Sequence, residues 1–290
     1  TTHVAIVARA LEIPVVGRVS DALERVEELD IVIVNGDAAS VHIRPGEDVH
    51  KTHADTLKTM ARRKAAFAAL RDLPAETRDG ARIVLDINAG LVADMQQLEE
   101  TGADGVGLYR TEIPFMNSTK FPDVNSQALI YKQVMDAAGG KPVTFRTLDI
   151  GGDKSLPYWH TGNEENPAMG WRSVRVSLDR PVLMRHQFRA LILAASGREL
   201  RLMFPMITEV SEFDSAQKLL DQELSRAKTK GHPLPEKLSV GTMIEVPALA
   251  FQLPALMKRV DFISVGSNDL FQFLFASDRG SPHLADRYDS

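Results

Sequence analysis

Four short apolar runs each stop at side chains that could do chemistry. Gly105-Val-Gly-Leu-Tyr109 ends in Arg110-Thr111-Glu112, and Val143-Thr-Phe145 ends in Arg146, with Asp149-Ile-Gly-Gly-Asp-Lys154 behind it. Val240-Gly-Thr-Met-Ile244 ends in Glu245. Phe262-Ile-Ser-Val-Gly-Ser267 ends in Asn268-Asp269, with Arg279 ten residues on. Guanidinium and ammonium groups bind anions, and glycines let the backbone come close to them. Two carboxylates from neighbouring elements can hold a divalent cation that bridges to the same anion. This is the composition of a phosphate site. Neither G-x-x-x-x-G-K-[ST] nor G-x-G-x-x-G occurs, so it is not a nucleotide loop of either familiar kind.

Each residue alone has a plainer account. An Arg after a strand is most often a surface or ion-pair residue, Glu245 could be a helix N-terminal acid, and Gly151-Gly152 could be a turn. Four coincidences in succession are much harder to explain this way. They become one site if a single fold element sets all four run ends side by side.

The rhythm of the chain from residue 81 supplies that element. Apolar runs at Ile83–Ile87, Gly105–Tyr109, Val143–Phe145, Leu202–Phe204, Val240–Ile244 and Phe262–Val265 alternate with helix-length amphipathic stretches. Runs that are apolar throughout suit parallel strands covered on both faces. The intervals of about 20 to about 40 residues leave room for a crossover helix each time. A β/α barrel or a doubly wound sheet follows. In a barrel the carboxyl ends of all strands share one face, where catalytic groups gather. Ser173–Leu178 alternates weakly and could start a helix.

The N-terminal part reads differently. His3–Leu11 is a short helix candidate and Asp21–Asp30 a polar helical stretch. Ile31–Val34, Asn35-Gly36 and Val41–Ile43 read as strand, turn, strand. Residues 1–45 therefore look like the end of a small α/β domain. Residues 46–77 form a linker, mostly one long amphipathic helix broken by Pro74, and residues 78–290 form the barrel domain. His50 and His53 lie one turn apart on that helix, where solvated positions are a better account than a metal site.

Composition narrows the classes. The chain of 290 residues carries 34 Lys+Arg against 39 Asp+Glu, a net charge of −5, and neither its first 80 residues nor the remainder is net basic. No nucleic acid or anionic membrane held by bulk charge is expected. Cysteine is absent, so this chain has no disulfide, zinc-thiolate site or catalytic thiol. No apolar run is long enough to span a bilayer and no signal peptide opens the sequence, so a cytoplasmic enzyme is expected.

Gly105–Glu112, Arg146–Lys154, Asn166-Pro-Ala-Met-Gly-Trp-Arg172, Met203-Phe-Pro-Met206, Met243-Ile-Glu-Val-Pro247 and Asp261–Leu270 with Asp278-Arg279-Gly280 together resemble enzyme I of the bacterial phosphotransferase system, the phosphoenolpyruvate–protein phosphotransferases. The likeness spans nearly the whole chain in order and spacing. Thr2-His3-Val-Ala-Ile-Val-Ala-Arg9 is similar to that family's phosphohistidine motif. The resemblance implies a (β/α)8 barrel, of which about six of the eight strands are present, preceded by part of a swivelling phosphohistidine domain. It implies that His3 is the nucleophile and that Arg110, Arg146, Arg172, Lys154, Asn268 and Arg279 hold phosphoenolpyruvate. Glu245 and Asp269 would carry Mg2+. A histidine-containing phosphocarrier protein would receive the phosphoryl group, and a homodimer would form through the barrel. The Cys that serves the family as proton donor would lie on the strand after Ser290, so the sequence reads as a fragment that should not turn over efficiently alone. Tyr109–Met116 looks somewhat like the nitrogen-related branch. Two other readings are a pyruvate phosphate dikinase or phosphoenolpyruvate synthase, which share the swinging His and barrel, and a module that binds phosphoenolpyruvate without transfer.

Overall fold

The computed structural model describes residues 8, 13–17, 19, 21–116, 118–151, 156, 158–159, 164–278, 281 and 284. The expected helix over His3–Leu11, Ala8 apart, and His3, Lys154 and Arg279, lie outside them. The chain divides into two units, Thr1–Val84 with Glu99–Ala103, and Leu85–Leu98 with Asp104–Ser290. No described helix is long and apolar enough to cross a membrane.

In the first unit, strands β1 (Val32–Asn35) and β2 (Ser40–Ile43) pair antiparallel, with Asn35 opposite Ser40. The hairpin was legible, but its loop is four residues long. Asn35 shapes it through its side chain: Oδ1 accepts from the backbone N–H groups of Asp37 and Ala38 at 3.1 and 3.0 Å. The polar stretch 21–30 contains only one helical turn, α1 (Ala22–Arg25). Leu29 enters the left-handed region at φ 74°, and Arg44 reaches both the Arg25 carbonyl and the Asp30 carboxylate, which hold the chain in a turn. Helix α2 (Glu47–Ala68) begins after Gly46 with Glu47 and Asp48 in its first turn, favourable to its dipole, and buries no side chain.

The second unit is built on six strands: β3 (Asp86–Ala89), β4 (Gly105–Arg110), β5 (Val143–Arg146), β6 (Glu199–Phe204), β7 (Lys237–Ile244) and β8 (Phe262–Val265). All neighbours are parallel and their spatial order is their chain order. A doubly wound sheet reverses its order at a switch point, whereas a barrel wall does not. The sheet is therefore the wall of a (β/α)8 barrel, open between β3 and β8 among the described residues. Its connections carry α3 (Gln96–Thr101), α4 (Glu112–Met116), α5 (Val124–Ala137), α6 (Val174–Asp179), α7 (Pro181–Ala194), α8 (Val210–Thr229), α9 (Pro247–Ala250) and α10 (Leu253–Leu256), and α11 (Ser267–Leu274) follows β8. The weakly alternating segment at 173–178 is helix α6.

Strand β5 is buried at every position, as a strand covered on both faces must be. Tyr131 of α5 meets Phe145 edge-on at 5.5 Å between ring centroids, and Phe188 of α7 and Phe213 of α8 both pack on Phe204. One expected strand moves. The first barrel strand is Asp86–Ala89, not Ile83–Ile87, and Ile83, Val84 and Leu85 are exposed at 45, 62 and 57%. The Ile83 N–H turns back to the Ala75 carbonyl, while the Leu85 N–H is taken by the Asp104 carboxylate, so ladder pairing begins only at Asp86 with Gly105.

Candidate functional site at the carboxyl ends of the strands

Register places the expected residues along one rim. Arg110 is the direct cross-strand neighbour of Arg146, Arg146 of Met203, Met203 of Gly241, and Ile244 of Val265. Arg146, Glu245 and Asp269 thus end or follow β5, β7 and β8 of one continuous sheet. Arg172 reaches the same rim from the long β5–α6 connection, because Gly151 and Arg172 form an antiparallel bridge and the Ser173 N–H donates to the Ile150 carbonyl at 2.7 Å. Gly151 is at φ +96°, and a Cβ there would stand 2.5 Å from the Trp171 carbonyl oxygen, so this approach requires glycine.

The charges meet in a nearly dry place. Arg146 is 5% exposed, Arg172 1%, Glu245 1% and Asp269 9%. Two further acids join them: Glu112 accepts from Arg146 Nη2, and Asp149 stands 3.2 Å from Arg146 and 3.3 Å from Arg172, linking the two guanidiniums. Arg172 Nη1 also lies 3.7 Å from the Asp269 carboxylate. Burial works against the charge of Arg146, but Glu112, Asp149 and Glu245 together outweigh it, and its pKa is raised. Arg146 Nε is buried without a hydrogen-bond partner among the described residues. A buried guanidinium N–H left open is the donor an oxyanion ligand would use.

Glu245 behaves oppositely. Burial first, then repulsion from Asp149 and Asp269, pushes its carboxyl up to about 7 against the pull of the Met206 N–H and Arg146. The Met206 N–H donates to Glu245 Oε1 at 2.6 Å from a left-handed backbone position at φ 55°. Ser173, next to Arg172, is also left-handed at φ 59°. Backbone strain of this kind collects where surrounding structure holds functional groups in place. On its other side Glu245 lies against Gly266, where a Cβ would come within 2.6 Å of Oε2.

This donor set fits a hard divalent cation. A buried carboxyl raised by its desolvation and by neighbouring acids, as Glu245 is, is relieved by a positive charge, and Mg2+ commonly takes only one or two carboxylates, completing its shell with water and phosphate oxygens. The described residues contain no cluster of three or more His, Cys, Asp or Glu fit to hold a metal, at this rim or at His50 and His53.

Of the expected site residues, the structure brings Arg146, Arg172, Glu245 and Asp269 together. Arg110 stands on the same rim with its side chain exposed, and Asn268 is exposed in the first turn of α11. Sequence reasoning gave no role to Glu112, Asp149, Gly266 or the Met206 N–H. The one available signal was spacing: Glu112 lies two residues after Arg110, and Asp149 three after Arg146.

Comparison with known proteins agrees with this geometry. Residues 64–290 match the family model of the PEP-utilising enzyme, PEP-binding domain, and residues 1–39 that of the PEP-utilising enzyme, mobile domain. Proteins named phosphoenolpyruvate-protein phosphotransferase are similar along almost the entire chain. Those of Lactococcus lactis subsp. cremoris and Streptococcus equinus are each 40% identical over 290 residues, and that of Staphylococcus carnosus is 38% identical over 288, in each case 99% of this chain. The chain spans about half the length of these relatives. With a parallel barrel wall, a rim of buried guanidiniums and carboxylates, and a family match over most of its length, this chain belongs to the PEP-utilising enzymes.

Proposed function

We propose that the protein takes the phosphoryl group of phosphoenolpyruvate onto His3 and passes it to a histidine-containing phosphocarrier protein, releasing pyruvate. The observation that carries this reading is the buried pair Arg146 and Arg172, bridged by Asp149, with Arg146 Nε buried and without a hydrogen-bond partner among the described residues. Arg146 and Arg172, joined by Arg110, Asn268, Lys154 and Arg279, hold the phosphate and carboxylate of the substrate. Glu245 and Asp269 hold Mg2+, which when bound neutralises charge on the phosphoryl oxygens.

The neutral imidazole of His3 attacks phosphorus in line. A nitrogen–phosphorus bond forms as the bond from phosphorus to the enol oxygen breaks, and the electron pair leaves on the enolate of pyruvate, which then takes a proton at carbon. Negative charge spreads over the equatorial oxygens and the departing enolate, and the guanidiniums act by electrostatic stabilisation. The phosphoryl group then leaves His3 for a histidine of the carrier. A cytoplasmic location and a homodimer formed through the barrel complete the proposal.

Incubation with phosphoenolpyruvate labelled at phosphorus tests it. The expected result is an acid-labile, alkali-stable label that requires Mg2+ and is lost in His3→Ala. Binding without any label overturns transfer in favour of a binding module. A label that leaves the histidine for AMP in the presence of phosphate or pyrophosphate, and not for a carrier protein, supports a dikinase or synthase instead.

A further inference from the structure

We propose that Gln187, on the outer helix α7, is a positioning residue that sets Arg146 for anion binding through a relay of hydrogen bonds. It touches neither substrate nor metal, and the inference rests on the role proposed above for Arg146. Gln187 is 1% exposed, and both ends of its amide are used. Oε1 accepts from the Leu148 N–H at 2.8 Å, and Nε2 donates to Thr111 Oγ1 at 2.9 Å and to the Tyr131 hydroxyl at 3.1 Å. The Thr111 hydroxyl, itself fully buried, donates to the Arg146 carbonyl at 2.8 Å.

One amide therefore grips the ends of two adjacent strands. It holds β4 at Thr111, and it holds the segment after β5 from both sides, at the Arg146 carbonyl through Thr111 and at the Leu148 N–H directly. Between and beside those grips stand Arg146 and Asp149, the residues that join to Arg172. The chemistry at position 187 is restrictive. It requires an acceptor and two donors at fixed spacing, which among side chains of this length only the Gln amide supplies. Because the network is buried and each of these bonds has one direction, a lost donor has no water to replace it. A displacement of Arg146 by a few tenths of an ångström is then felt at the anion rather than dissipated in solvent.

The experiment measures phosphoenolpyruvate affinity by calorimetry with Mg2+, for wild type, Gln187→Leu, Gln187→Glu, Thr111→Val, Thr111→Ser and the double variant Gln187→Leu/Thr111→Val. The temperature is one at which circular dichroism shows every variant folded. Gln187→Leu and Thr111→Val each weaken binding tenfold or more. The double variant is no worse than the weaker-binding single variant, because both cut one relay. Thr111→Ser, which keeps the hydroxyl, stays within threefold of wild type. Gln187→Glu keeps the acceptor for Leu148 and the side-chain shape. Its affinity relative to wild type recovers as the pH falls and the carboxyl regains a proton to give to Thr111. Variants that melt earlier yet bind like wild type, or single losses that multiply in the double variant, overturn the proposal. If wild type itself fails to bind, the reading of the rim falls and takes this inference with it.

Discussion

The carboxyl of Glu245 is the most exposed point of the reasoning, because its burial makes a prediction that ordinary structural thinking would reverse. Removing a charge from a buried residue with a 2.6 Å backbone hydrogen bond would normally be expected to destabilise a protein. Here the carboxyl titrates near 7 in the folded chain and near its ordinary 4.5 when unfolded. The folded state therefore holds the proton more tightly, and stability falls as pH rises through that interval. The ionised form above pH 8 costs the native state on the order of 3 kcal/mol relative to pH 4, at about 1.4 kcal/mol for each tenfold change in proton affinity. Glu245→Gln keeps an oxygen for the Met206 N–H and adds N–H donors beside Asp149 and Asp269. In metal-free buffer at pH 8 it should stabilise the second unit by about 1–3 kcal/mol, and the gain should vanish near pH 4.5. Urea unfolding followed by tryptophan emission suits the measurement, since the only two Trp residues, Trp159 and Trp171, lie in that unit. The same variant should lose cation affinity. A Glu245→Gln protein less stable than wild type at pH 8, or a difference independent of pH, would refute the account of a strained, cation-ready carboxylate.

Gly266→Ala should weaken Mn2+ binding tenfold or more by paramagnetic relaxation titration, because the added methyl lies within 2.6 Å of the Glu245 carboxylate and 2.8 Å of its Cβ. Glu223 joins α7 to α8 by receiving Arg185, Arg189 and Arg226, and despite its burial these partners hold its carboxyl down to about 2. Its contribution is present above pH 4.5 and lost as pH falls toward 2. Glu223→Gln should cost about 2 kcal/mol at pH 7 by urea unfolding, less than a fully dry pair because the three arginines are 26–38% exposed. Arg180 lies 5.2 Å from the Trp159 ring and 5.1 Å from the Trp171 ring. Arg180→Met should shift tryptophan emission and cost about 1 kcal/mol; an unchanged spectrum would mean the cation does not sit against the rings in solution.

The barrel wall was legible because strands buried on both faces must be apolar throughout, and five of the six runs stand where their composition put them. The sixth failed for the same reason. Asp86-Ile-Asn-Ala89 is half polar, yet it pairs with β4, while the apolar Ile83–Leu85 beside it is solvated. Hydrophobicity reports burial, and an edge strand of an open sheet is poorly buried. Where β6 and β7 extend past their apolar stretches, Glu199 pairs with both Arg201 and Lys237, which no pattern of single residues reveals. Within the rim, the sequence exposed the cations and the two acids that follow strands. It did not expose which other acids turn inward. Asp149 and Glu112 look like any loop or helix-start carboxylate until the fold sets a guanidinium against each.

The balance of charge at that rim leads to one more expectation. Among the described residues its buried members are two guanidiniums, Arg146 and Arg172, and four carboxyls, Glu112, Asp149, Glu245 and Asp269. With all of these ionised the described buried set is net negative, and an anion entering it meets repulsion that low local polarity magnifies, except as far as Lys154 and Arg279, proposed to join the site, offset it. Exposed Arg110 offsets little of this, because water screens it. Burial first, and then the neighbouring Asp149 and Asp269, raise the carboxyl of Glu245, so the site takes up a proton where a metal could serve. Cation and anion should therefore bind with positive coupling, and the coupling must be reciprocal. Phosphoenolpyruvate affinity measured with chelator present should fall tenfold or more from its value in saturating Mg2+, and Mg2+ affinity should rise by the same factor when the anion is present. In Glu245→Gln, which removes one negative charge from the enclosed set, the penalty for withholding Mg2+ should shrink. Equal anion affinity with and without a divalent cation would show that charges beyond the described residues already balance the site.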